Sequence, residues 1–164
     1  MKKLLLGIAA VCLAGFTFAQ DAPLWMRHSV ISPDGTTIAF TYKGDIYTVP
    51  VAGGRAMQIT TNPAYDTAPV WSPDSKRIAF ASDRMGSLDV YIVAKDGGEP
   101  RRLTTHSGSE TPLAFTDAGH VLFSAGIMPS AEAVVFPSNG QFNQVYRVSV
   151  EGGRPTMISS MPME

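Results

Sequence analysis

Short apolar runs alternate with turn-forming residues along most of the chain. In the stretch from residue 68 to residue 105 these runs lie at 68–72, 77–82, 89–93 and 102–105. They are too short for typical helices, and Pro, Asp and Gly separate them, which is the pattern of β-strands joined by tight turns. The run at 78–81 is apolar throughout, as expected of a strand that is packed on both faces. The pattern therefore predicts an all-β fold.

The same pattern occurs three times in the same order. The run at 30–35, Val-Ile-Ser-Pro-Asp-Gly, precedes Ile-Ala-Phe at 38–40, and related runs recur at 70–75 with 78–80 and at 114–119 with 121–123. Each copy is followed by a triplet ending in tyrosine, at 45–47, 89–91 and 144–146, and then by a Gly-Gly pair at 53–54, 97–98 and 152–153. A conserved order of this kind indicates repeated structural units.

The spacing of the units identifies their architecture. Gly53 and Gly97 are 44 residues apart, and Gly97 and Gly152 are 55 apart, so the third unit carries an insertion between Gly126 and Asn143. A period in the low forties is typical of four-stranded propeller blades. We predict a partial β-propeller over 29–164, with units at about 29–61, 68–105 and 111–159. Propellers close with four to eight blades, so three units predict a fragment of a longer protein or, alternatively, a ring completed by association.

The turn between the first two strands of each unit has a clear local cause. In Ser-Pro-Asp-Gly, proline fixes φ near −65° at the second position, aspartate accepts backbone N–H bonds, and glycine suits the exit of a type I turn. Ser75 replaces this glycine in the second unit. We expect serine to be tolerated there, because the exit of a type I turn favours glycine without requiring it.

The N-terminus has the pattern of a secretory signal peptide at 1–19. Lys2 and Lys3 precede an apolar stretch, and small residues at 17 and 19 precede a predicted cut before Gln20. The apolar stretch is shorter than a membrane span needs, which disfavours an uncleaved anchor, and Cys12 lies within it, which disfavours a lipoprotein. We predict a periplasmic or secreted protein with a lead-in at 20–28, no cysteine and no membrane attachment after cleavage.

Charge and composition narrow the function classes. The chain of 164 residues has a formal net charge of −1, with 16% charged residues and no long basic run. Nucleic-acid binding needs a concentrated positive patch, so a nucleic-acid partner is not expected. No nucleotide-binding, nucleophile-elbow or metal-ligand motif occurs. The sequence accordingly predicts no cofactor, no metal site and no catalytic residue in this chain.

Several polar residues are nevertheless candidates for a functional site. The three histidines, His28, His106 and His120, are far apart in the sequence and do not have metal-ligand spacing. We therefore predict structural or surface roles for them. Ser107 and Ser109 lie beside His106 and Glu110, but neighbours in one loop rarely form a catalytic triad.

Asp83, Arg84 and Asp89 allow two interpretations. An ion pair across the turn that joins the middle strands, formed among these three residues, would fix the loop and satisfy backbone donors. Alternatively, Arg84 would hold a peptide carboxylate in the channel.

Two further features give structural predictions. Tyr47, Tyr91 and Tyr146 recur at one position of the unit, and we predict that their rings lie in the core. The insertion at 126–140 is apolar enough that we predict it to pack on a neighbouring domain.

The repeat resembles a known family. Ser-Pro-Asp-Gly with Ile-Ala-Phe, Asp-Ile-Tyr and Gly-Gly resembles the TolB-type propeller repeat from about Ser29 to Ser159, and residues 23–47 are similar to the start of exported bacterial relatives of tricorn protease. The resemblance implies a propeller that precedes a second β domain, a PDZ domain and a serine peptidase domain. No position here matches the peptidase motifs, so whether the chain is part of an enzyme stays open.

The resemblance implies a non-catalytic propeller that gates or scaffolds peptide hydrolysis. Its expected partners are peptide substrates or the downstream peptidase domain. The alternative is an envelope protein interaction module of TolB-like type without enzyme activity. TolB itself carries a further domain before its propeller, which disfavours a TolB orthologue, while amidohydrolase and prolyl-oligopeptidase-like proteins with such blades remain open.

Overall fold

The computed structural model describes residues 25–126 and 143–159. The described residues form twelve β-strands in three antiparallel four-stranded sheets, each paired in chain order. Blade 1 contains β1 (Arg27–Ile31), β2 (Thr37–Tyr42), β3 (Asp45–Pro50) and β4 (Met57–Gln58). Blade 2 contains β5 (Asp66–Trp71), β6 (Arg77–Ser82), β7 (Asp89–Ala94) and β8 (Arg101–Arg102). Blade 3 contains β9 (Glu110–Asp117), β10 (His120–Ala125), β11 (Gln144–Ser149) and β12 (Thr156–Ser159).

The all-β prediction with three four-stranded blades is confirmed. The predicted signal peptide at 1–19 and nearly all of the insertion in the third unit lie outside the described residues. Among the residues that are described, there is no helix of the length and apolarity that a bilayer crossing requires.

The core lies in two layers between the blades. One cluster joins blades 1 and 2 through residues such as Ile46, Ile78 and Phe80. A second cluster joins blades 2 and 3 through residues such as Val90 and Phe123. Burial of these side chains between sheets supplies the main stabilising free energy, since apolar surface removed from water contributes roughly 25 cal/mol per Å².

A cross-strand aromatic pair repeats in each blade. Phe40 and Tyr47 pair across β2 and β3 with ring centroids 5.8 Å apart, and the equivalent pairs are Phe80 with Tyr91 at 5.9 Å and Phe123 with Tyr146 at 5.6 Å. Stacked pairs at this separation add to the burial term. Tyr91 and Tyr146 are buried, as expected of core rings, and Tyr47 in blade 1 is half-buried.

Equivalent residues in blades 1 and 2 show that blade 1 has one uncovered flank. Trp71 in β5 packs against blade 1, donates its indole N–H to the Val30 carbonyl at 3.2 Å and is 8% exposed. Ile31 holds the same position in β1 and is 57% exposed. The flank that faces away from blade 2 is therefore available to another blade, as expected of an incomplete propeller.

The turns between the first two strands have the same hydrogen bonds in blades 1 and 2. The amide of Gly35 donates to the Ser32 carbonyl at 2.8 Å, and the amide of Ser75 donates to the Ser72 carbonyl at 2.9 Å. However, φ is +71° at Gly35 and +57° at Ser75. The exit position is therefore left-handed and favours glycine more strongly than the sequence interpretation assumed. The Ser75 hydroxyl partly compensates, because it accepts a hydrogen bond from the Asp34 amide of blade 1 at 3.1 Å.

This geometry predicts different effects for two substitutions of Ser75. Ser75→Ala loses the bond between the turns and keeps the backbone strain, so we expect it to lower the free energy of unfolding by about 1 kcal/mol. Ser75→Gly also loses the bond but relieves the strain, so it should be more stable than Ser75→Ala by about 1 kcal/mol. Urea denaturation followed by Trp71 fluorescence measures both. An alanine variant as stable as the glycine variant would contradict the assignment of strain to this position.

Candidate functional site

Ionisable side chains collect at one rim of the blades. We call it the upper rim, and it is where the odd-numbered strands begin and the even-numbered strands end. The first residues of four of those strands are acidic: Asp45, Asp66, Asp89 and Glu110. The last three are fully buried. Buried carboxyl groups are costly unless a cation, hydrogen bonds or a proton compensates them, so the partners of these groups decide the properties of the rim.

At the junction of blades 1 and 2, Asp66 is paired with Arg84. The Nη2 atom of Arg84 lies 3.1 Å from Oδ1 and 3.0 Å from Oδ2 of Asp66, and its Nε donates to the Ser82 hydroxyl at 2.8 Å. The guanidinium also lies 4.5 Å from the centre of the Tyr91 ring. The carboxylate, the hydroxyl and the ring together hold the arginine in one orientation.

Asp45 at the same junction is held by neutral partners. The side-chain amide of Gln58 donates to its Oδ2 at 3.0 Å, and the Thr60 hydroxyl donates to its Oδ1 at 3.3 Å. Burial raises the pKa of Asp45, while the Thr60 bond opposes that shift. The pKa of Asp45 is also raised by the neighbouring charge of Asp66.

At the junction of blades 2 and 3 the arginine is Arg102, and it pairs with Asp89 and not with Glu110. The Nη2 atom of Arg102 lies 2.8 Å from Oδ2 of Asp89. Neither carboxyl oxygen of Glu110 has a well-formed hydrogen bond with the described residues. Burial raises the pKa of Glu110 to about 7, the Thr104 hydroxyl and the charge of Arg102 oppose the shift, and the charge of Asp89 adds to it. Glu110 therefore keeps its proton to a higher pH than an exposed glutamate does.

The two junctions share a hydrogen bond from a backbone amide to a threonine hydroxyl. The Thr60 hydroxyl accepts a hydrogen bond from the Ile46 amide at 3.0 Å, and the Thr104 hydroxyl accepts one from the Val90 amide at 2.9 Å. These threonines close the repeated Ile-Thr and Leu-Thr pairs of the sequence. They fix the outer connection of each blade to the start of its third strand.

The predicted ion pair across this turn is wrong in its partners, because neither Arg84 nor Asp89 pairs within the turn. Arg84 reaches Asp66 across the sheet, whereas Asp83 accepts a hydrogen bond from the Tyr65 amide at 2.8 Å. Asp89 pairs with Arg102 instead. The Nη2 and Nε atoms of Arg84 are already bonded to Asp66 and Ser82, and the alternative role of Arg84 as a site for a peptide carboxylate stays a prediction.

The structure places the histidines apart from one another and in local contacts. The Nδ1 atom of His28 lies 3.0 Å from the Thr67 hydroxyl, His106 accepts a hydrogen bond from the Gly108 amide, and His120 lies 3.0 Å from Asp117. Over 25–126 and 143–159, no cluster of three or more metal-ligating side chains is found.

Ser107, Ser109, His106 and Glu110 are not joined into a catalytic arrangement. Over the described ranges, no hydrogen bond links His106 to the hydroxyl of either serine. Glu110 is buried at the start of β9 beside Asp89. The sequence prediction that this chain holds no catalytic, cofactor or metal residue stays a prediction.

Two depressions among the described residues include residues of the upper rim. The first, which we call the blade 1 cavity, has a volume of about 480 Å³ and is lined by Trp25, Arg27, Thr41, Lys43, Gly44 and Tyr65. The second has a volume of about 250 Å³ and lies between the connection at 59–63, Arg84 and the turn at 98–100. The first is within the size range of small-ligand sites.

Comparison with known proteins now decides the family. Residues 23–163 match the tricorn protease N-terminal beta propeller domain. The chain belongs to this family. The tricorn-type propeller chain is 35% identical over 102 residues to tricorn protease homolog 1 of Streptomyces coelicolor, covering 62% of this chain and 9% of that protein.

Other relatives share the repeat. The uncharacterized peptidase YuxL of Bacillus subtilis is 30% identical over 129 residues, which cover 77% of this chain and 20% of that protein. The Tol-Pal system protein TolB of Bordetella pertussis is 44% identical over 55 residues, 33% of this chain and 13% of TolB. The tricorn-type propeller chain thus spans at most a fifth of these relatives.

Solved structures agree on the fold. The structure of putative TolB from Agrobacterium tumefaciens superposes with a TM-score of 0.63 at 23% identity, covering 77% of this chain and 46% of that chain. The crystal structure of the tricorn protease gives a TM-score of 0.55 at 15% identity over 76% of this chain and 13% of that chain. At these identities the likeness supports the propeller fold alone.

Proposed function

We propose that this chain is the non-catalytic N-terminal propeller portion of an exported tricorn-like serine peptidase, where it gates or scaffolds peptide hydrolysis. The observation that carries the proposal is the family match over residues 23–163, which coincides with the three blades. The peptidase relatives are much longer than this chain, which supports a catalytic domain elsewhere in the polypeptide. The substrates in this proposal are peptides.

The proposal is tested with the polypeptide encoded by the complete reading frame. We expect it to hydrolyse short peptides, and we expect the 164-residue chain alone to hydrolyse none. Substrates should be paired, with one sequence supplied both as a free peptide and as a loop of a folded protein. The rate ratio between the two forms measures selection by size.

Deletion of the propeller separates the two roles. If the propeller gates, the deletion variant should cleave the folded substrate faster relative to the peptide. If the propeller scaffolds, the variant should lose activity on both substrates. Unchanged rates on both would contradict the proposal.

Export is part of the same proposal and has its own test. The pattern at 1–19 supports cleavage before Gln20. N-terminal sequencing of the protein from a periplasmic fraction should therefore begin at Gln20. Ala19→Arg should block this processing, because the cleavage site requires a small residue, and a protein retaining Met1 in the wild type would refute export by this route.

A second candidate function is a TolB-like envelope interaction module without a peptidase. The identity of 44% to TolB over 55 residues favours it. The downstream reading frame distinguishes the two candidates. A stop codon directly after Glu164 would support the module, and a frame encoding a peptidase domain would support the peptidase.

A further inference from the structure

The two blade junctions place carboxyl groups at equivalent positions. Asp66 and Glu110 are each paired with the last residue of the second strand of their own blade. The Asp66 amide donates a hydrogen bond to the Gly44 carbonyl of the preceding blade, and the Glu110 amide donates one to the Leu88 carbonyl, both at 2.7 Å. The same backbone contact therefore joins each of these residues to the blade before it.

The two carboxyl groups differ in what compensates their burial. Arg84, from the connection between the middle strands of blade 2, binds both carboxylate oxygens of Asp66. The sequence that connects the middle strands of blade 3, at 126–143, contains no Lys, Arg or His. Glu110 is fully buried, and neither of its carboxyl oxygens has a well-formed hydrogen bond with a residue that the structure describes. Glu110 thus holds the position of Asp66 without an equivalent of Arg84.

The charged groups described around Glu110 are already engaged with one another. On β7 Asp89 is also fully buried, and on β8 the Nη2 atom of Arg102 lies 2.8 Å from Oδ2 of Asp89. At the same end of β5, Asp66 is bound by Arg84, and β6 and β10 end there in uncharged residues. One arginine therefore lies beside two buried carboxyl groups. This arrangement is compensated while Glu110 keeps its proton, and it holds a buried unpaired charge once the proton is lost.

We propose that Glu110 acts as a proton-dependent latch between blades 2 and 3. With its proton, the carboxyl group stays in the junction and the start of β9 stays bonded to the Leu88 carbonyl. Without its proton, the carboxylate moves into water, and the connection at 105–109 and the start of β9 separate from blade 2. The junction of blades 1 and 2 stays closed, because the Asp66 carboxylate keeps Arg84 as its partner. The latch does not depend on peptidase activity, so it can fail or succeed independently of the function proposed above.

The direction of the pH effect follows from the burial of Glu110. Burial raises the pKa of this carboxyl group to about 7, whereas the ordinary value of 4.5 applies once the junction is open and the group is in water. Between these two values the closed junction binds a proton that the open junction releases. Opening therefore becomes more frequent as the pH rises and levels off above pH 7.

Amide hydrogen exchange followed by NMR tests the latch, and the Asp66 amide is the matched control within the same molecule. Each amide exchanges through the opening of its own junction, which needs less free energy than global unfolding. After correction for intrinsic rates, the Glu110 amide should exchange within about threefold of the Asp66 amide at pH 5 and about tenfold faster at pH 8. A loss of protection at both amides in parallel, or at neither, would overturn the proposal.

Two variants identify the titrating group. Glu110→Gln keeps the shape of the side chain but cannot ionise, so the difference between the two amides at pH 8 should fall below about threefold. His106 is the titratable residue of the connection at 105–109, where its Nδ1 atom accepts a hydrogen bond from the Gly108 amide, and histidines titrate in this pH range. His106→Gln should leave the difference of about tenfold in place. A difference that survives Glu110→Gln, or disappears in His106→Gln, would assign the effect to another group and refute the latch.

Discussion

Glu110→Gln should stabilise the protein at pH 8 by about 3 kcal/mol and leave its stability nearly unchanged at pH 4. The native state holds the Glu110 proton up to a pKa of about 7, whereas the unfolded state releases it near the ordinary value of 4.5. Between those two values the native state binds more protons, so the wild-type stability contributed by this group falls as pH rises. Above pH 7 the full cost of a buried carboxylate is present, and glutamine avoids it.

Urea denaturation at pH 4, 6 and 8 measures this dependence. Glu99→Gln is the matched control, because Glu99 is exposed on the turn between β7 and β8, and it should change stability by less than about 0.5 kcal/mol at each pH. A Glu110→Gln gain that is the same at pH 4 and pH 8 would contradict a titrating carboxyl at the junction of blades 2 and 3.

Arg84→Met should destabilise the protein by about 3 to 5 kcal/mol. The substitution leaves the carboxylate of Asp66 fully buried without its cation, and an uncompensated buried charge costs this much in other proteins. Methionine retains much of the apolar contact with Tyr91, so the charge is the main quantity that changes. Trp71 lies in the same strand as Asp66, so its fluorescence reports the loss at the junction of blades 1 and 2.

Two further variants separate charge from packing. Asp66→Asn combined with Arg84→Met should recover most of the loss, because neither charge remains. Lys95→Met breaks the exposed pair with Asp96 and should cost less than about 1 kcal/mol. If Arg84→Met costs no more than Lys95→Met, the pair with Asp66 does not stabilise the blade junction.

The repeat made the architecture predictable from the sequence. The Ser-Pro-Asp-Gly turns, the tyrosine triplets and the Gly-Gly pairs specify two hairpins in each unit, and the structure has them in three successive sheets. The positive φ angles at Gly53 and Gly97 agree with the predicted outer hairpins. Local sequence determines these features because turn chemistry and apolar alternation act over a few residues.

The ionic partners at the upper rim could not be predicted in the same way. Asp66 and Glu110 precede the apolar parts of β5 and β9, and a charged residue at such a position is typical of an exposed connection. In the structure, however, the blade junctions bury both side chains. The partner of Arg84 is 18 residues away, a separation set by the packing of whole strands. A signal was nevertheless present, because Asp66 and Glu110 hold equivalent places in successive units.

The pairing register of the middle strands is the same in all three blades, although the tip between them differs in length. Phe40 faces Tyr47, Phe80 faces Tyr91 and Phe123 faces Tyr146, while the tip spans two residues in blade 1 and six in blade 2. Residues added at a hairpin tip leave the paired strands in place. Insertion at this point can therefore change what the rim recognises without changing the scaffold that carries it, which makes the tips the natural place for this architecture to diversify.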